Sequence, residues 1–259
     1  MELGLEDKVI LVTGGSDGLG RALCQTLVDE GARVAFCGRD EERLEEVRAS
    51  LAAGGGEVLS VRADVTNPAD LVGLVDAVGQ RFGRLDGLVN NAGRASASRV
   101  EDTTDEDWAA DLDLKLMAAV RLTRLVLPLL RAQGAGSIVN VLAISAKTPG
   151  PSTSPTSVSR AAGMALTKAL SKELGPSQIR VNAVLIGLIQ SGQWRRLAEA
   201  AKVEVAEILT ALESSNDIPL GRVGVASEFG DLVAFLLSER SSYVTGTAIN
   251  LDGGLSAAW

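Results

Sequence analysis

Seven short runs, apolar at nearly every position, recur along this chain and are separated by stretches with helical spacing. That alternation restricts the fold more than any other feature of the sequence. The runs are Lys8–Val12, Arg33–Cys37, Glu57–Val61, Asp86–Asn90, Ser137–Leu142, Ile179–Val184 and Thr247–Leu251. Uninterrupted apolarity implies burial on both faces, a condition met by parallel strands with crossover helices above and below them. The expected fold is α/β: a single domain over residues 1–259, with a doubly wound, seven-stranded parallel sheet and helices on both faces. No internal repeat at a solenoid period marks a second unit.

Three stretches depart from the alternation. Ala52–Gly56 reads as a flexible turn before the third strand. Pro149–Pro155 is stiff and polar and precedes a helix, for which Ser154 is the expected N-cap and Pro155 the first helical residue. From Trp194 to Leu212 the apolar positions Trp194, Leu197, Ala201, Val205, Ile208 and Leu212 advance by three or four, which predicts an amphipathic helix. Lying between the sixth and seventh strands, residues 191–213 are the candidate substrate lid of the domain.

Composition removes several chemistries. The 259 residues include no histidine, which excludes a Ser-His-Asp triad, a Cys-His pair and an imidazole metal site, so no metal is expected. The single tyrosine is Tyr243, so any tyrosine acid must be that residue. A net charge of −8 and the lack of a long basic run argue against nucleic acid as a partner. The opening MELGLEDKVILV is not a signal peptide, and no window reaches membrane-spanning length. Cys24 and Cys37 form no CxxC pair, which fits a reduced, cytoplasmic chain.

The first strand runs into Thr13-Gly14-Gly15-Ser16-Asp17-Gly18-Leu19-Gly20, and a helix follows. Glycines there let backbone N–H groups approach a pyrophosphate, and the helix N-terminus favours its charge. At the first strand of a doubly wound sheet this is the dinucleotide turn of a Rossmann fold. Gly14, Ser16, Asp17, Gly18, Leu19 and Gly20 are its candidate contacts.

With this turn in place the chain resembles the short-chain dehydrogenase/reductase family over nearly its whole length. Thr13-Gly14-x-x-x-Gly18-x-Gly20 resembles the family's cofactor motif, and Asp64-Val65 its adenine-contacting pair. Asn90-Asn91-Ala92-Gly93 resembles its NNAG motif. Ile179–Val184 is similar to its sixth strand, and Tyr243–Gly246 through Asp252–Gly254 to its C-terminal strand region. The resemblance implies NAD(P)-dependent oxidation of an alcohol or reduction of a carbonyl, in a homotetramer or homodimer, with Leu255–Trp259 a candidate contact. It adds Asp64, Val65, Asn91, Ala92, Gly93, Gly187, Ile189 and Ser191 to the cofactor site. Gly38 takes the place of the acid that selects NAD, and Arg39 is free to pair with a 2′-phosphate, whereas Asp17 would repel one. The balance favours NADP(H) over NAD(H).

The family's acid–base set is a Ser, a Tyr and a Lys four residues later, with an Asn. A gap-free alignment puts Ala143, Thr156 and Arg160 at the first three positions, and counting seven from Trp108 puts Lys115 at the fourth. All four have changed. A threonine hydroxyl lacks the acidity of a phenol, and Arg160 cannot shuttle a proton, though it can bind ribose or a carboxylate. Two cations in one cleft should lower the Lys115 pKa and allow it to act as acid, base or oxyanion stabiliser. Lys115, Ser145, Thr156 and Arg160 are the candidate catalytic residues. Ser191 is a candidate contact to the nicotinamide amide, in a loop where Ile186 replaces the family's proline. Two other functions stay open: a non-catalytic dinucleotide- or partner-binding protein, and a lyase or isomerase on the same fold. The two cations favour an acyl or carboxylate-bearing substrate.

Overall fold

The computed structural model describes residues 2–215 and 217–259. Its strands are β1 (Val9–Thr13), β2 (Arg33–Gly38), β3 (Val58–Arg62), β4 (Gly87–Asn90), the two-residue β5 (Ala97–Ser98), β6 (Gly136–Ala143), the two-residue β7 (Ser154–Pro155), β8 (Ile179–Ile186) and β9 (Ala248–Leu251). The helices of the first half are α1 (Gly18–Asp29), α2 (Glu41–Ala53), α3 (Pro68–Phe82), α4 (Asp105–Leu112) and α5 (Ala118–Ala132). The second half adds α6 (Thr156–Leu174), α7 (Gly192–Ala201), α8 (Val205–Ser215) and α9 (Ala226–Leu237).

Seven strands form one parallel sheet in the order β3-β2-β1-β4-β6-β8-β9. The expected doubly wound sheet is thus the observed one, and each apolar run lies on a strand within a residue or two of its ends. Alternate residues serve opposite layers, as the pleat requires. Ile10, Val12, Val34 and Phe36 pack under α1, α2 and α9 through Leu23, Leu27, Val47, Phe229 and Val233. Val9, Leu11, Ala35 and Cys37 pack under α3, α5 and α6 through Leu71, Leu74, Val78, Val126 and Leu174. The chain winds outward from β1 to β3 and then reverses into β4, so the crevice at the carboxyl ends of β1 and β4 is the topological switch point.

Two sequence expectations change. Ser154 is not the N-cap of α6 and Pro155 is not its first helical residue: Pro155 takes the cap position, and both pair antiparallel with Ala97–Ser98 in the small β5–β7 ladder. The helix starts at Thr156, with the Ser157 N–H donating to the Thr153 carbonyl at 2.9 Å. The Trp194–Leu212 helix is two helices. α7 ends at Lys202, whose backbone is left-handed (φ 56°), and Glu204 starts α8 with its N–H bonded to Glu207 Oε1 at 3.1 Å. The three-and-four spacing continues across that break, which is why it reads as one helix.

A half-buried cation ties β8 to the end of α9. From the start of β8, Arg180 donates to the carbonyls of Leu236 (2.7 Å), Ser238 (3.0 Å) and Leu237 (3.3 Å), and to Ser241 Oγ (2.9 Å). These carbonyls end α9, where a helix leaves its acceptors unpaired and favours positive charge. Arg180→Met should cost on the order of 3 kcal/mol, since it strips charged hydrogen bonds from buried acceptors. Denaturant unfolding checks this, with the midpoint expected to fall at unchanged slope.

Candidate active site

Backbone and glycine geometry build the crevice. Gly14 and Gly18 have φ of +67° and +51°, a conformation open to glycine. A Cβ at Gly20 would stand 2.1 Å from the Gly14 carbonyl oxygen and 2.6 Å from Asn91 Nδ2, so this position admits no side chain. Thr13 Oγ1 accepts from the N–H groups of Asn91 and Ala92, both at 2.9 Å, and Asn91 Nδ2 donates to the Thr13 carbonyl at 2.8 Å. The ends of β1 and β4 are thereby joined, and Gly14 to Gly20, Asn91, Ala92 and Gly93 come together as the sequence implied. Ser191 packs against Gly18, with its Cβ 3.4 Å from where a Gly18 Cβ would lie. Gly187 and Ile189 follow β8 into the same loop, and Ile189 is buried.

Beyond the end of β3, Asp64 accepts from Thr66 N–H (2.9 Å) and Thr66 Oγ1 (2.7 Å). These bonds hold its carboxyl below the usual range against a smaller effect of burial. Val65 is buried beside it. Arg39 is largely exposed, with its guanidinium 3.9 Å from Asp64 Oδ2. A Cβ at Gly38 would lie 2.6 Å from Ser16 Oγ, so the packed Ser16 hydroxyl fills the space above that glycine.

Asp17 is not the isolated negative charge that the sequence implied. It caps α1 by accepting from Gly18 N–H at 2.9 Å. It also meets Arg196 at 2.6 Å and Arg195 at 3.1 Å, both on α7, and Arg43 on α2 at 3.6 Å. Burial alone would raise its pKa, but the Arg196 bond, the Arg195 charge and the Gly18 N–H outweigh that and hold the carboxyl below 3.8. Three guanidiniums around one carboxylate leave this corner positive, and the repulsion expected against a phosphate is offset.

The second cluster surrounds Lys115. Between α4 and α5 the chain makes one π-helical turn, Asp113–Met117, a widening often found where a helix carries a functional residue. Lys115 sits in that turn with its side chain fully enclosed. Its Nζ donates to Asp111 Oδ1 one turn earlier and to Thr156 Oγ1 at 2.6 Å on α6. Ser159 Oγ donates to Asp111 Oδ2 at 2.6 Å. Thr156 Oγ1 also accepts from Ser96 N–H at 3.0 Å. Burial lowers the Lys115 pKa; the Asp111 bond opposes this, and the nearby charges of Arg160 and Arg94 add to it. The direction is the one expected from the sequence.

Arg160 lies against Gly93, and its Nη1 donates to the Val141 carbonyl at 2.6 Å. Desolvation pushes it down to about 10, and it stays charged at neutral pH. Its buried Nε has no hydrogen-bond partner among the described residues. Lys115 and Arg160 line one small cavity with Thr13, Asn90 and Ala92. Ala143 ends β6, and Ser145 lies in the following turn, half-buried and without a hydrogen bond to the Lys115 cluster among the described residues. Tyr243 is fully exposed, before β9. Sequence reasoning does not single out Asp111, Ser159, Arg195 or Arg196. Asp111 stands four before Lys115 and Ser159 three after Thr156, so helical spacing carries the signal for that pair. No spacing rule connects residues 17 and 195.

Glycine crevice, switch point and α6 together can be compared with known proteins. A family profile described as enoyl-(acyl carrier protein) reductase matches residues 14–256. The chain belongs to the short-chain dehydrogenase/reductase family. Among relatives in this family, the 3-oxoacyl-[acyl-carrier-protein] reductase of Thermotoga maritima is 36% identical over 251 residues, spanning 97% of this chain and 98% of its own. The NADPH-bound short chain oxidoreductase of Pseudomonas aeruginosa PAO1, described as containing an atypical catalytic center, superimposes with a TM-score of 0.92 at 37% identity over 98% of this chain and 100% of its own. L-Sorbose reductase of Gluconobacter frateurii, complexed with NADPH and L-sorbose, gives 0.94 at 34% identity over the full length of both chains. Among the described residues no helix is long and apolar enough to cross a membrane, and no cluster of His, Cys, Asp or Glu could hold a metal ion.

The Asp17 clasp has a testable pH range. Its folded pKa lies below the ordinary carboxylate value, so the stabilisation is complete above 3.8 and fades as pH falls below that. At neutral pH, Asp17→Asn should release α7 and raise hydrogen exchange in residues 192–201 several-fold, with the sheet unchanged. Hydrogen-exchange mass spectrometry reads both.

Proposed function

We propose that this short-chain dehydrogenase/reductase is an NADP(H)-dependent carbonyl reductase or alcohol dehydrogenase whose proton source is the Lys115–Thr156 pair. One observation carries the reading. Thr156 Oγ1 accepts hydrogen bonds from both Lys115 Nζ and Ser96 N–H, which uses both of its lone pairs. Its own O–H therefore points away from both donors, free to serve a substrate oxygen. An ammonium behind that hydroxyl strengthens it as a donor and refills it after transfer.

The residues fit a dinucleotide. Glycines at 14, 18 and 20 leave a cradle that a Cβ would fill, and the buried Arg160 Nε is unpartnered among the described residues. Bound NADP(H) would supply the hydride chemistry. Gly14 to Gly20 would hold its pyrophosphate, Asn91, Ala92, Gly93 and Arg160 its nicotinamide half, and Gly187, Ile189 and Ser191 the amide end. Arg39 and Arg43 support NADP(H) over NAD(H), as do the NADPH-bound relatives.

In the reducing direction Thr156 passes its hydroxyl proton to the developing substrate oxyanion. The Lys115 ammonium replaces that proton, becomes a neutral amine, and is recharged from water. Oxidation reverses each transfer. The relative with an atypical catalytic center supports a departure from the usual acid–base set, and the reductase names of the others support a carbonyl substrate. Positive charge from Lys115, Arg160 and Arg94 favours a substrate with a carboxylate or acyl group, and Ser145 is a further hydroxyl near it. In this reading residues 191–213 form the lid, and the protein works as a cytoplasmic homotetramer with its two buried thiols reduced.

NADPH oxidation measured over a panel of keto acids, ketoesters and ketoses should find turnover, with NADH poorer. Lys115→Ala and Thr156→Val should each lower kcat by about 10²–10⁴, the range lost with a general acid. NADPH affinity should change little in both. Binding of NADPH without turnover on any carbonyl or alcohol would instead establish a non-catalytic dinucleotide-binding protein.

A further inference from the structure

We propose that Asp111, itself held by Ser159, positions the Lys115 ammonium against Thr156 and supplies the charge that balances it. This rests on the reading of Lys115 as the proton source. Asp111 is 4% exposed, and a carboxylate so enclosed is costly unless each oxygen is satisfied. Both are: Oδ1 accepts from Lys115 and Oδ2 from Ser159 at 2.6 Å. Ser159 is fixed in turn, since its Oγ also lies 3.0 Å from the Thr156 carbonyl on the same helix. Asp111 thus ties the π-turn of Lys115 to the first turn of α6, where Thr156 stands. It touches neither crevice nor cofactor turn, so its action passes through Lys115.

The charges around Lys115 explain why a carboxylate is needed there. Arg160 of α6 and Arg94 of the loop after β4 both repel the ammonium. Asp113, in the same π-turn, is turned away and pairs with Arg121 at 2.7 Å. Asp111 is the acid whose bond and charge favour protonated Lys115, and it also faces Arg160. Without it, burial and two guanidiniums act unopposed, and the Lys115 ammonium gives up its proton more readily.

Titration of Lys115 by the ¹³Cε NMR shift tests this directly, since the chain has six lysines and Lys115→Met identifies the signal. Asp111→Asn should move the Lys115 midpoint at least about one pH unit toward acid. The alkaline limb of kcat for carbonyl reduction should move with it, while KM for NADPH stays within about threefold. Ser159→Ala should shift the midpoint in the same direction by less. A folded Asp111→Asn protein whose Lys115 titrates where the parent does overturns the proposal. If Asp111→Asn does not fold, Ser159→Ala decides alone, and an unmoved midpoint overturns it. The titration needs no substrate, so its outcome stands even if no carbonyl is ever turned over.

Discussion

A parallel sheet covered on both faces has no free surface, and this constraint orders the rest of the molecule. Ile10 and Val12 are committed to one helical layer, Val9 and Leu11 to the other. Function is left to the strand ends. There the chain reverses direction between β1 and β4, and the Thr13 hydroxyl and Asn91 amide close the gap without filling the crevice. Dense core packing and the open site are therefore two results of one winding pattern.

Much of this is legible in the residues. Burial leaves a plain trace, so the seven apolar runs locate the strands, and the glycines whose side chains would collide locate the turn. The family resemblance puts Lys115, Thr156 and Arg160 at one site, and the structure brings them together. What the sequence hides is of two kinds. The α7–α8 break at Lys202 depends on one left-handed residue that hydrophobic spacing does not register. The Asp17 clasp joins residues nearly 180 positions apart. Ser154 escapes for a related reason: a Ser-Pro before a helix suits a cap, but pairing with Ala97–Ser98 claims it for a ladder.

Charge is distributed by the same logic of buried and exposed ends. A chain with net charge −8 gathers Arg43, Arg195 and Arg196 at one end of the crevice and Lys115, Arg160 and Arg94 at the other. The first group gathers around Asp17, and in the second Lys115 pairs with Asp111. In the exposed group the carboxylate organises solvated arginines at modest cost, because water screens it. In the buried Asp111–Lys115 pair the carboxylate is instead satisfied on both oxygens, by Lys115 and Ser159, as its enclosure requires.

The contact between Ser16 and Gly38 makes two distant-looking positions depend on each other. Any side chain at 38 would meet the Ser16 hydroxyl first, inside ordinary van der Waals reach. An acid placed there to grip a ribose diol would have to turn that hydroxyl out of its packed position in the phosphate turn. A change at residue 38 is therefore felt at residue 16. A route from one nucleotide to the other passes through a new side-chain position or a new residue at 16 together with the change at 38. The two sites are free to vary as a pair and constrained when they vary alone.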